Sequence, residues 1–312
     1  MGAPSSPRHG SLQFWPRKRA GKIIPSVNWE PVKGEGILGF IGYKVSMASA
    51  VVKDNTEHSM TKGKRIVIPV TILETPNIKI FSVRFYKYGK VLKEVIVSND
   101  KELKRTLKVP KTLKSFDSEI PKEFNDLRII IYSLPKQTSI KKTPDLIEVA
   151  IGEKNKLDFV KNLIGKEISI FDFNKTGLLD VRGLTKGKGL TGPVKRFGLT
   201  LKAHKSEKGR RNRGSLGPWH PARVTFRSPV AGQLGLFSRV HYNQKIIFTG
   251  KISEKDINKV NGFKHYGKIK TNYLIVKGSV QGPNKRQVLL TPAIRKTKKQ
   301  EKKKYDFEEI LV

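Results

Sequence analysis

Residues 64–73 read KRIVIPVTIL, and residues 78–86 read IKIFSVRFY. β-Branched and aromatic residues crowd both runs, and Gly63, Pro76 and Asn77 punctuate them, which is the signature of short strands. The same signature extends outward in both directions. Upstream lies GFIGYKV (39–45); downstream lie LRIIIYSL (127–134), LIEVAIG (146–152), KEISIFDF (166–173) and LLDVRGLT (178–185), then QKIIFTG (244–250), YLIVKGSV (273–280) and RQVLLTPAI (286–294). The expected class is therefore mainly β. Residues 91–165 differ. Asn99 followed by Glu102 has the spacing of a capping box, with Leu103 and Leu107 behind it, and Leu157, Val160 and Ile164 share a helical face that ends at Gly165. This region reads as an α/β insertion in a β domain.

The expected organisation follows from these patterns. Residues 1–34 form a basic arm in which Phe14, Trp15 and Trp29 interleave with Arg8, Arg17, Lys18, Arg19 and Lys22. Such an arm orders on a partner. Residues 35–90 open the β domain, 91–165 are the insertion, and 166–294 complete the domain around a basic central loop (183–235). Residues 295–312 are a basic run with a short acidic, apolar tail. No internal repeat is visible.

Charge decides the partner class. Lys and Arg number 63 against 26 Asp and Glu, a formal net charge of +37 over 312 residues. Self-repulsion of that size calls for a polyanion, and the phosphates of nucleic acid present the matching charge density. A membrane surface would need a basic amphipathic helix, whereas the basic segments here are rich in Gly and Pro. The early apolar run GILGFIGYKVSMASAVV is broken by Lys44 and is too short to span a bilayer. The N-terminus MGAPSSPRHG has no apolar segment of the signal-peptide kind. Cysteine is absent, which excludes disulfides and thiolate zinc sites.

The central loop carries the binding chemistry. Between Val181 and Gly250 the single acid is Glu207, while Lys186, Lys188, Lys195, Arg196, Lys202, Lys205, Lys208, Arg210, Arg211, Arg213, Arg223, Arg227 and Arg239 are basic. Within it GKGLTG (187–192) matches the letters of a dinucleotide-binding loop. Pro193 follows, with no amphipathic helix expected, so the glycines Gly187, Gly189 and Gly192 read instead as points where backbone comes close to phosphate. Trp219 sits in GSLGPWHPARV (214–224) among Gly, Pro, His and Arg, badly placed for a protein core and well placed to stack on a base. His220 has no acid nearby in sequence to orient its ring, so it reads as a stacking or hydrogen-bonding group on RNA. The six histidines show no metal-ligand spacing. No catalytic residue, metal or cofactor is expected. An RNA-modifying or RNA-processing enzyme with the same basic surface is the alternative, and it would need acids or a cofactor motif in the loop. A DNA-compacting protein would need only charge and bendable contacts.

Five segments also carry a resemblance: GSLQFWPRKRA (10–20), GFIGYKVSM (39–47), DVRGLTKGKGLTGPVKRFG (180–198), GSLGPWHPARV (214–224) and FKHYGKIKTNYLIVKGSVQGPNKR (263–286). The chain resembles the universal large-subunit ribosomal protein family three in its archaeal and eukaryotic form. The resemblance implies a translation-factor-like β-barrel on the solvent side of the large subunit. It also implies an arm and a central loop that penetrate large-subunit ribosomal RNA towards the peptidyl transferase centre, with Trp219 at the tip. It further implies early RNA binding in assembly, a neighbouring ribosomal protein ("L-fourteen"), a cytoplasmic ribosomal location, no homo-oligomer and no catalysis by the protein. The chain stops soon after Arg295, which favours an archaeal source. The histidine of eukaryotic members upstream of the tip has no counterpart, since Arg and Asn fill that stretch, and no modification there is carried over.

Overall fold

A computed structural model describes residues 11–138, 140–173, 177–206 and 208–311. Among these, the first strands are β1 (Phe40–Asp54), β2 (Arg65–Glu74), β3 (Ile78–Lys87), β4 (Lys90–Ile96), β5 (Asp126–Ser133) and β6 (Leu146–Ala150). They are followed by β7 (Leu178–Leu184), β8 (Leu190–Thr191), β9 (Gly232–Gln233), β10 (Ser238–Lys251), β11 (Asn272–Lys277), β12 (Gln287–Pro292) and β13 (Tyr305–Leu311). Three short helices, α1 (Lys156–Leu163), α2 (Pro193–Phe197) and α3 (Lys298–Glu301), complete the set. The protein is mainly β, as its strand-like runs require.

The described residues form two compact units: one from 11–21 with Leu184–Ser238, the other from Lys22–Gly183 with 239–311. In the second unit the strands pair in the order β12-β7-β10-β11-β2-β1, and β1 returns to β12, so six strands close a barrel. Closure removes sheet edges that would otherwise invite aggregation. β1 is long enough to serve three partners: Phe40–Tyr43 pair with β12, Tyr43–Lys53 with β2, and Ser49–Asp54 with β13. Side chains on both faces of the barrel strands are fully buried and divide between two apolar clusters, with Phe40, Ile41 and Leu289 in one and Ile72 and Tyr273 in the other. Glu74 is also fully buried, and its carboxylate is satisfied by four donors: Tyr266 Oη, the Lys270 and Thr271 amides, and Thr271 Oγ1. An unmatched carboxylate there would be prohibitive.

A second sheet, β4-β3-β5-β6, is wholly antiparallel. Its inner face (Val83, Phe85, Leu127, Ile129, Val149) joins the barrel core, and Val160 of α1 packs there too. α1 ends before Gly165, which takes the positive φ of 80° the sequence pattern anticipated. The expected boundary at residue 91 falls inside β4, whose partner is β3, so the sheet is continuous across it.

Several expectations are corrected. Asn99–Glu102 does not open an α-helix: Leu103–Arg105 form a single 3-10 turn with no side-chain cap, and Leu107 is exposed. Leu103 alone is drawn into the core, and one buried side chain cannot sustain a helix whose nucleation is costly. KEISIFDF is not a strand; Ile168 makes one bridge to Ile78, then Ser169 and Asp172 form a reciprocal capping box around a 3-10 turn. Trp29 is not an arm residue that awaits a partner, since it is buried in the main core where its ring fills the space left by Gly39; a Cβ on Gly39 would come within 3.0 Å of that ring. Residues 305–311 are not a loose tail but β13, paired along β1 with Tyr305, Phe307 and Ile310 against the barrel.

Candidate nucleic-acid interface

The first unit leaves the barrel after β7 and returns into β10. Its base is a short ladder: Thr185 N donates to Phe237 O (3.0 Å), Lys188 N to Leu234 O (2.9 Å), and β8 pairs with β9. The arm joins it through Ala20 N to Leu236 O (2.9 Å). The central loop thus has structure of its own at its base, and a helix of five residues opens after Gly192, where no amphipathic helix was expected. α2 opens there because Pro193 supplies a preset φ at the first helical position, and Gly198 at φ 69° closes it.

A small aromatic cluster holds arm and loop together. The ring of Trp15 lies 5.6 Å from Phe197 and 5.6 Å, edge-on, from Phe226. The Arg17 guanidinium covers Phe197 at 4.4 Å and donates to Arg196 O at 2.5 Å. Arg196 in turn donates to Val230 O (2.9 Å) and Gln233 O (3.0 Å). Burial lowers the Arg196 pKa from its usual value, yet an arginine stays a cation. The structure thus places Trp15, Arg17 and Arg196 in the protein's own framework. Phe14, Lys18, Arg19, Lys186, Lys188, Lys195, Lys208, Arg210, Arg211, Arg213, Arg223 and Arg227 are exposed. Arg239 belongs to the second unit, and Arg8 lies outside the described residues. Phe197 and Phe226 were not singled out in the sequence; their signal was aromatic residues inside an otherwise polar, basic loop.

The three glycines have different surroundings. A Cβ at Gly187 would meet Leu236 at 3.0 Å, Gly189 has a φ of 58°, and Gly192 has open space around it. The tip is closed by Leu216 O, which accepts from Thr225 N (3.0 Å), Thr225 Oγ1 (3.1 Å) and Ser228 Oγ (2.5 Å). Gly217 is needed there, because a Cβ would press within 3.0 Å of Arg223 O. Beyond this clasp Trp219 is 86% exposed, with His220 and Arg223 exposed beside it. A bare indole held out by a pinned turn among cations has the geometry of a stacking probe. Among the described residues no three His, Asp or Glu side chains gather as a metal-ligand set, and no helix is long and apolar enough to cross a membrane.

A sequence profile of the family described as Ribosomal protein L3 matches residues 1–311. The chain belongs to the ribosomal protein L3 family. The large ribosomal subunit protein uL3 of Methanococcus vannielii is 41% identical over 307 residues, covering 93% of this chain and 91% of that one. The uL3 proteins of Archaeoglobus fulgidus (40% over 308 residues; 94% and 93% covered) and Methanothermobacter thermautotrophicus (38% over 324 residues; 96% and 95% covered) are similar to it as well. These uL3 relatives are archaeal, in line with the resemblance seen in the five motifs. As a member of the L3 family the chain is a ribosomal protein, and its relatives are named as proteins of the large subunit.

Proposed function

We propose that the chain is a structural constituent of the large ribosomal subunit that binds large-subunit ribosomal RNA through its first unit. The single observation that carries this is Trp219, 86% exposed at the end of a clasped turn, in a stretch where residues 184–238 hold twelve Lys and Arg against one acid, Glu207. Arginine forks and lysines neutralise phosphates, and the indole stacks on a base. The loop reaches towards the peptidyl transferase centre, the closed barrel is of the translation-factor type, and binding assists subunit assembly. The protein acts in the cytoplasmic ribosome as one copy beside neighbouring ribosomal proteins, "L-fourteen" among them. Peptide-bond chemistry is left to RNA. Trp219→Ala tests the tip: subunits should incorporate the variant normally but show altered tRNA accommodation or altered response to inhibitors of the catalytic centre. Mutant ribosomes kinetically identical to wild type would overturn the tip's role.

A further inference from the structure

The second unit carries a cationic concavity that nothing in the sequence pattern announced. Arg105, Lys136, Lys141, Lys142 and Lys270 line a hollow of about 660 Å³ with Thr138 and Ile140, and no acid is among its described lining residues. Three separate stretches of chain supply these cations, and each is anchored from behind. Leu103, two residues before Arg105, is fully buried. Pro135 and Thr138 are buried, Thr138 Oγ1 donates to Pro135 O (2.7 Å), and Ile140 N donates to Thr138 Oγ1 (3.3 Å). Lys270 N donates to Glu74 Oε1 (2.9 Å), inside the buried carboxylate network of the barrel. The cations therefore stand on fixed backbone, which distinguishes this basin from lysines scattered on a surface.

Their charges are only partly answered. Lys136 keeps Glu102 at 3.0 Å and Lys141 keeps Asp145 at 2.5 Å. Arg105, Lys142 and Lys270 are exposed and have no ion pair among the described residues. A hollow lined by one sign of charge focuses the field inside it, so it attracts an anion more strongly than the same charges on a convex surface. No aromatic ring lines it. It therefore suits phosphate and sugar, which position a nucleic acid, and not bases, which need stacking platforms.

We propose that this hollow is a second phosphate-binding site of the chain, gripping the backbone of a folded RNA segment with residues of the second unit alone. Arg105 offers a planar fork to one phosphate, and Lys142 and Lys270 act as point charges on its neighbours. The inference rests on the ribosomal RNA reading above.

Because the chain has no cysteine, single tethers are unambiguous. Thr143→Cys, beside the hollow, and Ala222→Cys, at the loop tip, leave every proposed contact in place. Each is given an iron chelate that releases hydroxyl radicals and is assembled as full-length protein into large subunits. The expected result is RNA cleavage from both tethers, at different segments. Cleavage from Ala222→Cys with none from Thr143→Cys would overturn the second site and leave the loop's role standing. Absence of cleavage from both would overturn the RNA reading itself. A companion measurement is the binding of full-length protein to large-subunit RNA across salt concentrations. Arg105→Ala, Lys142→Ala and Lys270→Ala together should flatten the slope of log affinity against log salt by about 2, at about 0.7–0.9 per lost phosphate contact. An unchanged slope would contradict the proposal.

Discussion

The two units of this chain spend charge in opposite ways. In the second, many cations meet carboxylates, although Arg105, Lys142 and Lys270 at the hollow have no ion pair among the described residues. Arg84 bonds Glu94 (2.8 Å) and Glu148 (3.0 Å), Arg128 reaches Asp126 (3.2 Å) and Glu148 (3.3 Å), and Lys156 meets Asp126 (2.5 Å). Beneath them lies a continuous core from Phe40 to Leu290. In the first, residues 184–238 have Glu207 as their single acid, and ring contacts such as those of Trp15 with Phe197 and Phe226 stand in for a large core. Burial of apolar surface stabilises the second unit. The first has too little to offset the ordering of its chain and its own repulsion, which is why the proposed function has a polyanion complete it. Stability and recognition thus reside in different residues, and substitutions should separate them.

The largest effect should come from Glu74→Leu, which strands the donors of Tyr266, Lys270 and Thr271. Unsatisfied buried groups cost about 1–3 kcal/mol each, so a loss of about 3 kcal/mol or more is expected. Calorimetry should show a melting temperature lower by roughly 6–12 °C; an unchanged melt would refute the role given to this network. Trp15→Ala comes next. It deletes two ring pairs, worth about 1–3 kcal/mol together. Amide exchange should quicken in 185–191 and 232–237 while 65–74 stays protected, and equal protection in both segments would show that the ring cluster does not hold the loop base.

Acid should act on the second unit. Burial would raise the Asp54 pKa, but hydrogen bonds from Thr56, Thr61 and Ser59 outweigh it and hold it below the ordinary value. Asp126 is lowered in the same way, with burial outweighed by Lys156 and Arg128. Carboxylates lowered on folding stabilise fully above their unfolded value of about 4, and that contribution is lost as pH falls through the folded values. Denaturant midpoints of the protein should therefore fall below about pH 4, and substitution of Asp54 and Asp126 by Asn should flatten that dependence. If the double variant kept the full acid sensitivity, other carboxylates would be responsible. The smallest change in stability belongs to Trp219→Ala, within about 0.5 kcal/mol, since the indole touches so little of the protein. A large destabilisation would mean that the indole packs inside the molecule.

The strands of the barrel and of the second sheet were legible because their β-branched runs, 64–73 in one and 78–86 in the other above all, need no knowledge of their partners. β13 was not, because YDFEEIL pairs its acids with a strand some 250 residues away and looks like a tail without it. The buried Trp29 was hidden by its basic neighbours in sequence, and the 3-10 turn at Ile170–Asp172 by an apolar run whose Ser169–Asp172 box went unread. For the candidate interface, composition exposed the loop and its tip. It could not separate Arg17 and Arg196, which serve the protein's own backbone, from outward neighbours with the same letters. Nor could it assemble Arg105, Lys142 and Lys270, which only the fold brings to one hollow.

The most direct test of the central claim is sedimentation of native lysate followed by a graded salt wash of the large-subunit fraction. Basic proteins bound only at a surface should leave steeply as salt rises, since their affinity is mostly counterion release. A chain whose first unit is enclosed by ribosomal RNA should remain with the subunit until the RNA itself unfolds. Release at modest salt, or absence from the large-subunit peak, would contradict the account.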